Sequence, residues 1–471
     1  MNNKKVTWIL TFFSVLFLGL IVYLTTIDIY YNDDYTQSTY NQRNTAAEAK
    51  ILRGSVYDRN GTLLAESEID GEGVQTRKYP YKNLYSHVIG YSSVRYGKSL
   101  IEKQYNQDLL GKNDISQVFS LKNLFDAQGD SGDDIPLTID HRLQKKAAEL
   151  MKNYTGALVA MNPKTGEILA MVSMPDFDPS PEALTEQWSN LNSSDDSPFL
   201  TRATMGLYPP GSTYKTVTTA LIIESGKDGE VVEDTNGKIH LGDKDISNAG
   251  GDVYGKTDLK RGFVKSSNVY FASVGSGIED TLHKDIAKRF LFGGKLGFDF
   301  PYTKSKFETG GMGQLECAVA SIGQGKTLTT PLHLALITSA FANNGYMPKP
   351  YIVSKVTHGD RTVSMNTPSS LAQPISSEVA NRVKDLMYDA VQSGTGTRAR
   401  ISGIKVCGKT GTAENERTTE DESKTHANFI GFAPYDDPEI AISVVLEYAG
   451  YGGSAAAPIA REVMKEYFNN K

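Results

Sequence analysis

The chain has 471 residues, 39% hydrophobic and 22% charged, a globular balance with length enough for two ordinary domains and a sizeable core. Its formal net charge is −6, so it lacks the basic field with which a nucleic-acid binder neutralises phosphates, and no nucleic-acid partner is expected. The only cysteines, Cys317 and Cys407, are too few for a disulfide framework or a thiolate metal cluster; buried free thiols are expected, with one bridge between them as the alternative.

The first residues, MNNKK, lead into VTWILTFFSVLFLGLIVYLTT, an uncharged run from Val6 to Thr26. It is roughly 20 residues long, the length a helix needs to cross a bilayer. It has no polar face to turn toward solvent, unlike a core helix. The run exceeds a signal-peptide core and no Ala-x-Ala-like site follows it, so an uncleaved anchor is expected. Lys4 and Lys5 precede the run, whereas Asp28, Asp33 and Asp34 follow it. By the positive-inside bias, residues 1–5 are a cytoplasmic tail, 6–26 a single-pass anchor in the cell membrane, and the rest extracytoplasmic. A domain on that side of the membrane has no ATP or NAD pool to draw on.

A polar stretch follows at 32–50, and then RGSVYDRNGTLLAES, where Asn60-Gly61 marks a hairpin turn between apolar runs. Tyr79 to Gly111 is rich in Tyr, Gly and Lys. The GDSGDD run at 129–134 has the composition of a linker, and a boundary is placed beside it, dividing 27–134 from 135–471. Beyond it, IPLTIDHRLQKKAAELMKNY suggests a strand entering an amphipathic helix capped by Asp140, with Leu143, Ala147 and Leu150 on one face. GALVAMNPKTGEILAMVSMP suggests two strands joined by an Asn162–Gly166 turn, which accounts for its Lys164-Thr165-Gly166 as turn chemistry.

In GLYPPGSTYKTVTTALIIESG, an irregular Pro209-Pro210-Gly211 precedes an apolar run at helical spacing. Ser212 therefore opens a helix with Lys215 one turn later on the same face, the arrangement a serine nucleophile with a lysine base requires. In isolation such a serine is as readily a helix cap. Gly226 to Lys256 is polar and is expected to be a surface excursion. Ser266-Ser267-Asn268 then supplies an S-x-N element.

At 403–412, GIKVCGKTGT fits two incompatible patterns, the phosphate-binding G-x-x-x-x-G-K-[ST] and a K-T-G at Lys409-Thr410-Gly411. A phosphate loop must follow a strand and open a helix, but here the intervening Ile-Lys-Val-Cys is itself strand-like and no amphipathic helix follows. Ser402-Gly403-Ile404-Lys405 also matches S-x-x-K, but a strand would place its serine and lysine on opposite faces. The chain ends with three strand-like runs, a charge-dense loop NERTTEDESKT expected to be merely solvated, and a closing helix with Ile459, Val463, Met464, Tyr467 and Phe468 on one face.

S-x-x-K, S-x-N and K-T-G, in that order and spacing, are the motif set of penicillin-binding proteins and class A β-lactamases. The whole chain resembles the class B penicillin-binding proteins, monofunctional peptidoglycan transpeptidases, and specifically their shorter Gram-positive-type members. RGSVYDRNGTLLA is similar to the family's opening motif, SHVIGY and GKSLIEKQYNQDLLG to its pedestal, and LTIDHRLQ, YPPGSTYK, VQSGTGTRARISGIKVCGKTGTAE and HANFIGFAP to its catalytic domain. Two positions depart from the family: Asn428, where an aromatic residue is usual, and Cys407, where a smaller residue is common.

The resemblance implies an α/β (α+β) chain with the penicillin-binding transpeptidase fold, an antiparallel sheet covered by helices. To this it adds an N-terminal transmembrane helix and a small pedestal, or dimerisation-like, domain. It implies acyl transfer through an acyl-enzyme on Ser212, with Lys215 as base and Ser266 as proton relay. Asn268, Lys409, Thr410, Gly411 and Thr412 would bind substrate, and the backbone N–H groups of Ser212 and Thr412 would form an oxyanion hole. The substrates implied are peptidoglycan stems ending in D-Ala-D-Ala, with β-lactams as inhibitors and a polytopic membrane glycan polymerase as partner. No metal or organic cofactor is implied. A β-lactamase, a D,D-carboxypeptidase and a scaffold of a wall-building complex remain alternatives. The chain has no G-x-S-x-G or H-E-x-x-H, and His426 is expected to be structural.

Overall fold

The computed structural model describes residues 3–36, 48, 51–69, 75–112, 131–242, 244–418 and 424–469. The expected linker at 129–130, most of the polar stretch at 32–50, and 419–423 of the charged loop lie outside them. One N-terminal helix, Asn3–Thr36, contains the apolar segment Lys4–Thr26, with mean hydropathy 2.2 and no residue buried against the rest of the chain. It is long and apolar enough to cross a membrane.

The part nearest this helix is built on a small sheet in the order Gln75–Lys78, Leu63–Ile69, Val56–Tyr57, Ile135–Pro136. The expected hairpin is present: Tyr57 pairs with Leu63, Gly61 takes φ 85°, and Asp58 Oδ1 accepts from the N–H groups of Asn60 and Thr62. Ile135–Pro136 adds in parallel to Val56–Tyr57, and the next residue, Leu137, bridges to Val353 in the larger unit. Contacts elsewhere tie the two parts together. Tyr96 stacks on Trp188 with ring centroids 4.0 Å apart, and Tyr105 Oη donates to Asp299.

The larger unit is organised on a five-stranded antiparallel sheet in the order Cys407–Ala413, His426–Ala433, Ile440–Leu446, Gly156–Met161, Ile168–Met174. The last three strands to form in sequence thus sit beside the first two, as an antiparallel sheet covered by helices requires. One face packs on His141–Met151 and the closing helix Ala456–Asn469, the other on a helical layer that includes Lys215–Glu224 and Pro331–Ala342. Cover on both faces explains why these strands are apolar throughout rather than alternating. Asp140 caps its helix by accepting from Arg142 N at 2.9 Å and Leu143 N, and the buried face is Leu143, Gln144, Ala147 and Met151, with Leu150 at its margin. Ile459, Val463 and Met464 of the closing helix are buried, with Tyr467 and Phe468 packed alongside.

Cys407–Ala413 is the edge strand, so one side of its backbone has no strand partner in this sheet. That open edge is where the first two motifs arrive.

Candidate active site

Ser212 lies in a 3-10 turn, Gly211–Tyr214, that runs directly into the helix Lys215–Glu224. The turn is seated by backbone contacts that only glycine permits. Gly211, at φ 53°, donates its N–H to Gly323 O at 2.9 Å, and a Cβ on Gly323 would stand 2.2 Å from Gly211 O. A Cβ on Gly211 would meet Thr412 O at 2.8 Å, so the serine turn presses against the K-T-G strand itself. Ser212 is half-buried, and among the described residues none hydrogen-bonds its hydroxyl.

Lys215, one turn on, is fully buried. Its Nζ donates to Ser266 O and to Asn268 Oδ1, both at 2.7 Å, and lies 3.5 Å from Ser266 Oγ. Ser266 can present its carbonyl and hydroxyl together because it ends the helix Leu259–Lys265 in the left-handed region, at φ 61°. The next helix begins at once: Ser267 caps it by accepting from Tyr270 N at 3.1 Å. The S-x-N element is therefore a two-helix junction rather than the interior of one helix.

Lys409 enters from the edge strand, also fully buried, and its Nζ donates to Ser266 Oγ at 2.7 Å. Regular pairing with His426–Ala433 puts Thr410 and Thr412 on the opposite face of the strand from Lys409 and Gly411. Gly411 is closely overlaid, since a Cβ there would reach Pro210 O and Thr213 Cγ2 at 2.9 Å. Thr410 is buried with its hydroxyl 2.6 Å from that of Thr395, while Thr412 is half-buried. All eight predicted site residues are thus gathered where the serine turn, the S-x-N junction and the edge strand meet.

The electrostatics of the two lysines follow from their burial. Desolvation pushes Lys215 well below its ordinary value, and the charge of Lys409 pushes it further the same way. Burial lowers Lys409 to about 7. A neutral lysine amine has two N–H bonds and one lone pair. With both N–H bonds of Lys215 directed at Ser266 O and Asn268 Oδ1, its lone pair remains to accept a proton from a hydroxyl. Ser266 Oγ, accepting from Lys409, keeps its own proton to donate. The cluster can therefore activate a serine and pass a proton, with a cation beside it to attract a carboxylate.

Three sequence expectations change in detail. Ser402–Lys405 is not on the strand: Ile401 and Ile404 bridge across a tight turn with Gly403 at φ 80°, and exposed Lys405 pairs with Asp436. The conclusion that its serine and lysine take no part in the site is unaffected. The Gly226–Lys256 excursion is not simply solvated, because it folds into short hairpins that hold the S-x-N junction. Buried Asn248 accepts from Ser267 Oγ and Val269 N and donates to buried Asp234, and Ser247 O accepts from Asn268 Nδ2 at 2.7 Å. In the charged loop, Arg417 lies over the Tyr448 ring and Tyr448 Oη donates to Glu416, so its described part is anchored.

Four further readings agree with the structure. Lys164-Thr165-Gly166 is a turn in which Asn162 Oδ1 accepts from Lys164 N and Thr165 N, with Gly166 at φ 84°. Gly408-Lys409-Thr410 lies within a strand and not ahead of a helix, which rules out the phosphate loop. Cys317 and Cys407 are buried and free. His426 is buried against Tyr208 and Tyr448 and its Nδ1 accepts from Tyr448 N, a structural placement. Thr395, Ser247, Asn248 and Asp234 are site-supporting residues that sequence reasoning missed, since each is an ordinary turn or loop residue type.

Residues 156–465 match the family description "Penicillin binding protein transpeptidase domain", and residues 53–135 match "Penicillin binding protein A dimerisation domain". The chain is 31% identical to a protein named peptidoglycan D,D-transpeptidase PbpA of Mycolicibacterium smegmatis, over 95% of both chains. It is 30% identical to the Mycobacterium tuberculosis protein of that name, over 96% of this chain and 97% of the other. Among solved structures, it superposes on the penicillin G acyl-enzyme complex of penicillin-binding protein A from M. tuberculosis with a TM-score of 0.80 and 30% identity, covering 89% of this chain and 100% of that one. It superposes on the D,D-transpeptidase domain of a peptidoglycan glycosyltransferase from Eggerthella lenta with a TM-score of 0.79 and 31% identity, covering 90% and 99%.

Proposed function

This chain belongs to the class B penicillin-binding protein transpeptidases, and from that premise we propose that it cross-links peptidoglycan stems through an acyl-enzyme on Ser212. It is a peptidoglycan D,D-transpeptidase. The observation that carries the assignment of residues is the convergence of two buried lysines, distant in sequence, on the single hydroxyl of Ser266 beside the Ser212 turn.

In the donor half-reaction, Ser212 Oγ attacks the penultimate D-Ala carbonyl while Lys215 takes the hydroxyl proton. The tetrahedral oxyanion is met by the backbone N–H groups of Ser212 and Thr412, each such donor contributing about 3 kcal/mol. Collapse breaks the amide bond, Ser266 delivers its proton to the departing amine and takes in return the one held by Lys215, and D-Ala leaves. Lys409 and the Thr410 and Thr412 side attract the terminal carboxylate, and Asn268 holds the substrate amide. In the acceptor half-reaction, an amine of a neighbouring stem takes the acyl group and restores Ser212.

The orientation follows from Lys4 and Lys5 on the N-terminal side of the apolar helix: N-terminus in the cytoplasm, catalytic unit outside, one membrane crossing. There the chain works on glycan supplied by a polytopic membrane polymerase.

Intact mass of the full chain in detergent, followed after mixing with benzylpenicillin, tests the reading. A persistent one-drug adduct that maps to Ser212 and is absent from Ser212→Ala is expected. Adduct that forms and is rapidly lost as hydrolysed drug points instead to a β-lactamase. Adduct retained in Ser212→Ala would sink the nucleophile assignment. Supplying a donor peptide with and without an added amine separates cross-linking from carboxypeptidase action.

A further inference from the structure

Asn428 stands opposite Gly411 in the strand register, and its side chain is fully buried. Because Gly411 has no side chain, the amide of Asn428 reaches past it to the segment that carries the nucleophile. Its Nδ2 donates to Pro209 O and to Pro210 O, both at 3.1 Å. Prolines have no N–H, so carbonyl groups are the only backbone handles on the two residues ahead of Gly211 and Ser212. Both are held by one side chain. Thr213 Oγ1 also donates to Pro210 O, at 2.7 Å, but it belongs to the turn itself and cannot fix that turn to the sheet.

The orientation of this amide is dictated, since reversing it would aim an oxygen at two carbonyls. In consequence its Oδ1 is buried with no partner among the described residues, an arrangement that costs stability. A leucine of similar size would avoid that cost and lose the clamp. The clamp joins the two pieces of backbone whose N–H groups must point at one oxygen.

We propose that Asn428 is a positioning residue for acylation: by holding Pro209 and Pro210 over the K-T-G strand, it sets where Ser212 stands relative to Thr412. It touches no substrate and acts only through that backbone segment. The inference rests on Ser212 as the nucleophile.

The test is the benzylpenicillin reaction of the full chain in detergent, read as both a rate and an endpoint. Asn428→Leu is expected to slow acylation at least about tenfold, the scale on which small misplacements of reacting groups act, while the endpoint still approaches one drug per chain. In Asn428→Asp, a carboxylate faces the two carbonyls at high pH, and protonation restores one O–H donor. Its rate relative to wild type at the same pH should therefore climb as pH falls from about 8 to about 5.5, where a buried carboxyl takes up its proton. An Asn428→Leu rate equal to wild type, or a lower endpoint at an unchanged rate, overturns the inference and leaves Asn428 a packing residue. Should the leucine variant not fold, a flat relative pH profile for Asn428→Asp overturns it equally. A wild-type chain that takes up no drug at Ser212 fails at an earlier step, overturning the nucleophile assignment and this inference with it.

Discussion

In the proposed reaction Lys215 and Lys409 have different tasks, and burial bears on both. Lys215 serves as a base only when neutral, so acylation should rise with pH through its depressed value. Lys409 attracts a carboxylate only when protonated, and that attraction should fade as pH climbs through about 7. The second-order acylation rate is therefore expected to be bell-shaped, with the descending limb near neutrality. Lys409→Arg places a permanent cation at the same point. Stopped-flow acylation across pH should then lose its descending limb, while the ascending limb moves lower because the fixed charge disfavours protonated Lys215. A descending limb that survives this replacement belongs to another group. Among the side chains, both lysines were legible in the sequence as candidates because S-x-x-K, S-x-N and K-T-G occur in a fixed order and spacing. Thr395 and Asn428 were not legible in the same way: their importance comes from contacts across the sheet, with Thr410 and with Pro209 and Pro210, that no local pattern announces.

The edge strand Cys407–Ala413 was signalled mainly by the strand-like run at 404–407 that leads into it, whereas the other four sheet strands could be read in advance as apolar runs bounded by turn residues and the closing helix by its apolar face. The Gly226–Lys256 hairpins could not, since polar composition describes a solvated segment and a hydrogen-bonded cradle equally well. Buried Asp234 and Asn248 distinguish the two. Asp234 accepts from Asn248 Nδ2 and from the N–H groups of Gly237 and Tyr254, which fixes the amide that receives Ser267 Oγ and Val269 N. Asn248→Ala removes this support from the turn that presents Ser266 and Asn268 to Lys215. It should slow acylation and lower stability by about 1–3 kcal/mol, the cost of leaving buried groups unpaired. Thermal melting and acylation kinetics on the same sample check it. A lower melting point with unchanged acylation per folded chain would make the hairpins a structural appendage only.

Across the whole molecule, the small N-terminal sheet and the catalytic unit are joined at several separate points. Tyr85 Oη hydrogen-bonds with His141 Nδ1 at 3.0 Å, His87 Nε2 donates to Pro175 O at 3.0 Å, Arg59 N donates to Ile139 O at 2.9 Å, and His358 pairs with buried Asp133 at 2.8 Å. Inside the smaller part, Glu102 is fully buried between Arg53 and Arg77, 2.7 Å from each Nε. Burial alone would raise its carboxyl, but the two guanidinium groups outweigh it and hold the group below the usual carboxylate range. A depressed value means that this stabilisation is present above the unfolded carboxyl value and is lost only as pH falls through the lower folded one. Glu102→Gln leaves two buried cations without their anion, which should cost about 3–5 kcal/mol at neutral pH and remove the acid sensitivity that Glu102 confers. The thermal midpoint should fall accordingly. Every residue assigned to acylation lies in the other unit, so the Ser212 acylation rate measured below the transition should match wild type. A rate that falls together with the midpoint would mean instead that the links at His141, Pro175, Ile139 and His358 carry strain from the small sheet into the catalytic site.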